Sequence, residues 1–278
     1  MDPVPGTPAD ASRLWRDHQR LLRQTRRQPG AKRVHALRVS TRRLLARLEA
    51  APALGSGPDA APARRRLRKL LHATGPARDA HVQARLLAQL APSALDRGVR
   101  KFRRYLMTRE RRLTRELRGG LRAFERKLQR LEPARLFLPV TDQARLVPPA
   151  ANALGHSLQR VLERQRSARL GAPADYHRWR VALKRFRFLL ETTTAPGRDR
   201  AAGLRRLQAA QTALGNLRDF DLLLLRWGKF ATRHASSARS LAARQAALLR
   251  RRATLTRRLS ARRPTPAELR RIVRIGER

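Results

Sequence analysis

The chain has 278 residues and carries 65 lysines and arginines against 20 aspartates and glutamates, a formal charge of +45. A molecule so charged repels itself when compact and draws polyanions from a distance, while its 41% hydrophobic content is too high for a disordered basic tail. The absence of cysteine excludes disulfides and thiolate metal sites, and only six of the cations are lysines, so the charge is overwhelmingly guanidinium, the group best suited to forked contacts with phosphate oxygens.

Apolar residues recur with a helical period along nearly every long segment, and no segment sustains the two-residue alternation of a strand. After a tail over residues 1–12, the pattern predicts helices at 13–27 and 32–50 joined by Gln28-Pro29-Gly30. A Pro-, Gly- and Ala-rich loop at 51–62 leads to a helix at 63–74, which Gly75 is expected to end in a left-handed conformation, with Pro76 opening the next. That helix runs to about 90. Ala91-Pro92-Ser93 then separates it from a long basic helix at 94–131. Residues 132–149, with Pro133, Pro139, Pro148 and Pro149, read as a hinge. Beyond it come helices at 150–170, 174–194, 199–214, 217–234 and 237–262, then a short one after Pro266 within a C-terminal tail at 263–278. Gly215 is expected to end a helix as Gly75 does, and Asn216 to cap the next. Apolar runs such as Leu222–Leu225 are far too short to cross a bilayer. The opening Met1–Asp10 has neither the basic nor the apolar region of a signal peptide, so a soluble cytoplasmic protein with no membrane partner is expected.

The two halves repeat each other. Val34-His35-Ala-Leu-Arg38-Val39-Ser-Thr-Arg42-Arg43 aligns with Tyr176-His177-Arg-Trp-Arg180-Val181-Ala-Leu-Lys184-Arg185 at an offset of 142 residues. Downstream, Gly75-Pro-Ala-Arg78-Asp79 aligns with Gly215-Asn-Leu-Arg218-Asp219 at an offset of 140. Two ordered blocks at nearly one offset imply duplication. The expected fold is all-α: two pseudo-symmetric antiparallel helical bundles from an internal duplication, one over about 13–131 and one over about 150–262.

At about 100° per residue, Val34, Leu37, Thr41, Leu44 and Leu48 form an apolar stripe, and His35, Arg38 and Arg42 lie along its edge. In the second copy Tyr176, Trp179, Leu183, Phe186 and Leu190 form the stripe, and His177, Arg180 and Lys184 its edge, joined by Arg187 where the first copy has Leu45. Cations beside a buried stripe are held by packed neighbours and suit a preorganised anion site, although their stems also serve simply to cover apolar surface. Arg43 and Arg185 point about 180° from the stripe and are expected to matter less. Arg78 and Arg218 complete the basic candidates. Asp79, Asp219, Glu49 and Glu191 are candidate orienting carboxylates, Asp79 and Asp219 also being placed to favour the first turn of a helix. Backbone N–H groups at those two helix starts are a further potential anion contact. The seven histidines include no i, i+4 helical pair, so no metal site or cofactor is expected. His35 and His177 stand apart by repeating in register with the arginines, and each gains a charge as pH falls. His72 and His81 lie in carboxylate-poor sequence and receive no role.

These motifs resemble the CHAD family (conserved histidine α-helical domain), whose pattern is a duplicated His-x-x-Arg-Val-x-x-Arg/Lys-Arg helix followed by a Leu-Gly-x-x-Arg-Asp segment. The pattern is met at His35–Arg43, His177–Arg187, Thr74–Asp79 and Leu214–Asp219, with departures at Thr74 and Leu45. The resemblance covers about residues 14–262 and implies two pseudo-symmetric bundles, their marked histidines and cations lining a shared basic surface or pore. It also implies non-catalytic binding of inorganic polyphosphate, often at polyphosphate granules. No Glu-x-Glu-x-Lys strand motif of a triphosphate-processing CYTH domain is present, so the chain looks like a stand-alone member. Sequence-nonspecific nucleic-acid binding is the second candidate function, although an aromatic content of 4% offers little for stacking on bases. An enzyme acting on phosphate chains is third, since neither a phosphate-cradling glycine loop nor an acidic triad is found.

Overall fold

The computed structural model describes residues 8–54, 58–90, 96–136, 147–169, 172–193, 198–234 and 238–274. All the regular structure among them is helical: α1 (Pro8–Arg27), α2 (Ala31–Leu54), α3 (Ala60–Ala73), α4 (Gly75–Leu90), α5 (Arg97–Gln129), α6 (Pro133–Leu136), α7 (Val147–Arg166), α8 (Pro173–Thr193), α9 (Arg198–Arg233), α10 (Ala238–Ala261) and α11 (Pro266–Arg274). Helix α1 thus begins inside the stretch expected as a tail, and α2 and α3 extend into the expected loop at 51–62. Most of the expected hinge, 137–146, lies outside the described residues.

Three cores organise these helices. In the first half, Trp15 and Leu22 of α1 meet Leu37, Leu44 and Leu48 of α2, Leu67 and Leu70 of α3, and Leu117 and Leu121 of α5. In the second, Leu158 and Leu162 of α7 meet Tyr176, Trp179, Leu183 and Phe186 of α8 and Leu207 and Leu214 of α9. Both apolar stripes read from the sequence are buried. Thr41, the polar member of the first, donates to Leu37 O at 2.7 Å and lies 3.1 Å from His18 Nε2. With the hydroxyl proton committed to the carbonyl, His18 donates to Thr41 from Nε2 and stays neutral, burial pulling its pKa down to about 4. A third core joins the halves: Leu87 of α4 and Phe102 and Leu106 of α5 pack on Leu223, Trp227 and Phe230 of α9 and Leu248 of α10. Helix α11 is no loose tail, for Leu269 and Ile272 are buried in the second core. A Cβ on Gly203 would sit 2.9 Å from Ile272, so only glycine lets α11 approach α9 this closely.

The copies differ at one joint. In the first, α3 stops at Ala73, and Thr74 adopts φ −78°, ψ −8° before α4 begins. In the second, α9 runs unbroken through Leu214, Gly215 and Asn216. The expected helix end at Gly215 and cap at Asn216 are therefore corrected, and Gly75 is not left-handed either, since its φ lies outside the positive region. Pro76 explains the difference. Its ring nitrogen cannot donate to the carbonyl four residues back and its ring clashes there, whereas the matching Asn216 has an ordinary N–H. Asp79 and Asp219 consequently lie beyond any first helical turn. The dipole role and the backbone anion contacts expected of these segments fall away with it, completely in α9, where the amides are interior to the helix.

Candidate functional site

Helix α2 packs on α7 and α8, and α4 packs on α9, which places the repeated blocks face to face. Between α2, α3 and α4 on one side and α7, α8 and α9 on the other is a cavity of about 830 Å³. Arg38 and Arg42 of the first copy line it together with Arg180 and Lys184 of the second, and Arg185, Arg218 and His177 add to the wall. Eight lysine or arginine side chains face three carboxylates, those of Glu49, Asp79 and Asp219. Apolar side chains such as Leu45, Val181 and Phe188 complete the lining. Low-dielectric walls of this kind focus the field of the cations.

The cations respond to one another. Burial, followed by the charges of Arg180, Arg42, Arg38 and Arg187, pulls the Lys184 ammonium down to about 6. Burial together with Arg38 and Arg180 brings Arg42 to about 10. Arg180 is likewise lowered, mainly by burial, with Asp219 and Asp79 opposing the shift. Asp219 itself is raised by burial, against the pull of Arg78 and Arg180.

The two repeated arginines are not equivalent. Arg38 Nη1 donates to Leu71 O at 2.5 Å and to Thr74 Oγ1 at 2.7 Å, so it braces the broken end of α3. Thr74, the departure from the family pattern, is thereby the residue that orients Arg38. Arg180 faces an unbroken helix, and its Nε is buried with no hydrogen-bond partner.

Several of the candidate residues lie elsewhere, and here the expectations change. His35, Arg43, Arg78, Arg187 and Glu191 are not on the cavity wall. His35 is exposed at the margin, its pKa lowered by burial and by Arg78, Arg42, Arg38 and Arg85. Arg78 is half-buried near Asp219. Arg187 pairs with Glu191 at 3.5 Å and lies 4.9 Å over the Phe188 ring, so Glu191 orients a cation as expected, but outside the cavity. Arg43 is exposed, as its angle predicts. Arg185 is exposed too, yet it reaches the cavity rim, contrary to its placement on the far side of the helix. His177 lines the wall, its pKa lowered by burial and then by Arg218, Arg180 and Lys184. Glu49 holds Arg68 of α3 at 2.7 Å, and Arg68, Ser157 and Arg160 are wall residues that the sequence did not single out, because they belong to neither repeated block. His81 is also corrected: it lies 3.6 Å from Glu110 and 3.1 Å from Thr114 of α5. In the second copy the corresponding contact is the ion pair of Asp221 with Arg252 at 2.6 Å, with the carboxylate on the opposite helix.

An all-helical, internally duplicated protein with its repeated cations gathered at the junction of the copies is the class that fold and site define. The CHAD domain matches residues 9–222 and again 152–274, and the chain belongs to the CHAD family. The crystal structure of the CHAD domain from the plant Ricinus communis is similar, with a TM-score of 0.65 and 21% identity over 97% of this chain and 93% of that one. PptA from Streptomyces chartreusis is similar at a TM-score of 0.63 and 20% identity, over 92% and 99%. No curated protein matches the sequence. No described helix is long and apolar enough to cross a membrane.

Proposed function

We propose that the cavity between the copies binds inorganic polyphosphate and performs no chemistry on it. The observation that carries this reading is the gathering of Arg38, Arg42, Arg180 and Lys184, from both copies, in one partly apolar space with too few carboxylates to neutralise the arginines. Such a cluster is unfavourable when empty. A chain of phosphates relieves it, supplying regularly spaced negative oxygens and needing no surface for bases to stack on. Asp79 attracts Arg38, and Asp79 and Asp219 attract Arg180, through space, and neither carboxylate is assigned a proton or a metal to handle. Localisation at polyphosphate granules is the cellular setting this reading implies.

The test is a titration with long-chain polyphosphate at about physiological salt. Replacing Arg180 by Ala together with Lys184 by Met is expected to weaken binding by at least about 100-fold, given ~1.5–3 kcal/mol for each charged contact. Replacing Arg43, which is exposed outside the cavity, should change affinity less than threefold. Equal losses from the two variants would assign binding to diffuse charge. Release of phosphate from the chain with Mg²⁺ or Mn²⁺ present would contradict the non-catalytic part of the proposal.

A further inference from the structure

Away from the cavity, helix α5 carries a second cationic feature. With Arg97 at zero and about 100° per residue, Arg100, Arg104, Arg111, Arg115, Arg118, Arg122 and Arg126 all fall within about 40° of a single line at roughly 340°. All eight are exposed, and the line runs for about 44 Å at 1.5 Å per residue. It lies opposite the helix face that buries Phe102, Leu106, Leu117 and Leu121. No α5 carboxylate interrupts it: Glu116 pairs with Arg112, the buried Glu125 with Arg26, and Glu110 faces His81. Nor does α5 contribute any residue to the cavity.

The fold does not require this stripe. Helix α10 is the matching element, and its buried register follows α5 at the same offset of 142: Leu248 and Leu259 are buried as Leu106 and Leu117 are. At that offset Arg100, Arg104, Arg111 and Arg118 correspond to Ala242, Ala246, Ala253 and Ser260, which are exposed as well. Arg97 and Arg115 keep arginine counterparts at Arg239 and Arg257, while Arg122 and Arg126 fall on Pro264 and Glu268 beyond α10, so the duplication preserves the packing of the helix and the continuous arginine line belongs to α5 alone.

We infer that the outer face of α5 is a docking track for duplex nucleic acid, contacting phosphates without reading sequence. Arg111, Arg115 and Arg118 border a pocket of about 390 Å³ against Pro29, Gly30 and Ala31, but the rest of the line lies on an exposed helix face, along which a flexible chain loses much conformational entropy. A duplex is stiff over about 150 base pairs and already presents its charges on a rigid cylinder, one per ~1.7 Å of axis counting both strands. The stripe spans about 13 base pairs. A membrane surface fits less well, because an interfacial helix needs an apolar face beside its basic one and the large apolar side chain exposed on α5 is Met107 alone.

The inference stands independently of polyphosphate binding. The experiment measures a 20-base-pair DNA duplex by fluorescence anisotropy across a salt series, using the full chain. In one variant Arg100, Arg104, Arg111 and Arg118 are replaced by Gln; in a second, with equal charge loss, Arg244, Arg250, Arg251 and Arg258 of α10 are replaced by Gln. The α5 variant should lose at least 30-fold in duplex affinity at physiological salt, and its slope of log K against log salt should fall by about 3–4, with thermal midpoint and polyphosphate affinity retained. The α10 variant should change duplex binding by less than fivefold. Similar losses from both variants would overturn the track in favour of diffuse charge. Loss of polyphosphate binding in the α5 variant with duplex binding intact would overturn it in favour of a polyphosphate track. Should the cavity variant retain polyphosphate affinity while the α5 variant loses the duplex, the cavity reading fails and this one stands.

Discussion

Lys184 is an amine held where its ammonium form is unfavourable, with a pKa of about 6 against its ordinary 10.5. Because the folded-state value is the lower one, the residue favours folding fully only above pH 10.5, and that contribution is lost as pH falls towards 6. At pH 7 the difference amounts to an order of 4–5 kcal/mol, at about 1.4 kcal/mol per unit. Lys184→Met should therefore raise the unfolding free energy at pH 7 by roughly 1–4 kcal/mol, as read by urea denaturation. A bound polyanion reverses the balance and pulls a proton onto the amine. Between pH 6.5 and 8 affinity should fall close to tenfold per unit, the slope of one linked proton, and K184M should abolish the slope; an affinity flat with pH in the parent protein would contradict this. His35 and His177 are both pushed below their usual value, and replacing both by Gln should leave the slope above pH 7 in place. The arginine pair separates fold from function at the same scale. Arg38→Ala removes donors to Leu71 O and Thr74 Oγ1 and should destabilise by about 1–3 kcal/mol. Arg180→Ala should be neutral or stabilising while weakening polyphosphate tenfold or more; a stability loss equal to that of R38A would make Arg180 a structural residue. The repeat made Arg38, Arg42, Arg180 and Lys184 legible in the sequence. Arg68 and Arg160 were not, because they reach the wall through tertiary packing of α3 and α7 rather than through any shared spacing.

At the scale of elements, the joint between α3 and α4 shows how far local signals carry. Glycine at 75 and 215 suggested two helix ends, yet neither glycine adopts a left-handed conformation and only one copy breaks. What decides the break is Pro76. A glycine merely tolerates an interruption, whereas a proline forces one by removing a donor and clashing with the preceding turn. Asn216→Pro would impose on α9 the break that α3 and α4 already accommodate, without an equivalent of Thr74 to receive Arg180. A loss of about 3 kcal/mol or more in urea denaturation is expected; a loss below about 1 kcal/mol would mean that the copies are interchangeable at this joint. Amphipathic periodicity located α2, α8 and their buried faces because packing there follows the helical repeat. It gave no sign of the third core, in which Phe102, Trp227 and Phe230 join the halves, since partners more than a hundred residues apart leave no trace in local spacing.

For the whole molecule, duplication explains why a site forms at the junction. Each copy contributes a helix edge of cations, and packing α2 against α8 makes one cavity of two edges that are weak alone. The contact between His81 and Glu110, matched by Asp221 and Arg252, shows the copies keeping their geometry while the carboxylate changes sides. A formal charge of +45 also guarantees some attraction to any polyanion, so affinity alone cannot identify the ligand. Discrimination can. The most direct measurement is a competition titration, with labelled long-chain polyphosphate bound to the protein and duplex DNA added at equal phosphate concentration. It would be run at about 0.15 M and about 0.5 M salt, the higher concentration shrinking the Debye length well below its physiological ~8 Å. A cavity built for polyphosphate predicts that the chain stays bound at both concentrations and that DNA fails to displace it. Full displacement by DNA, with both ligands lost at the higher salt, would contradict the shaped site and leave net charge as the explanation.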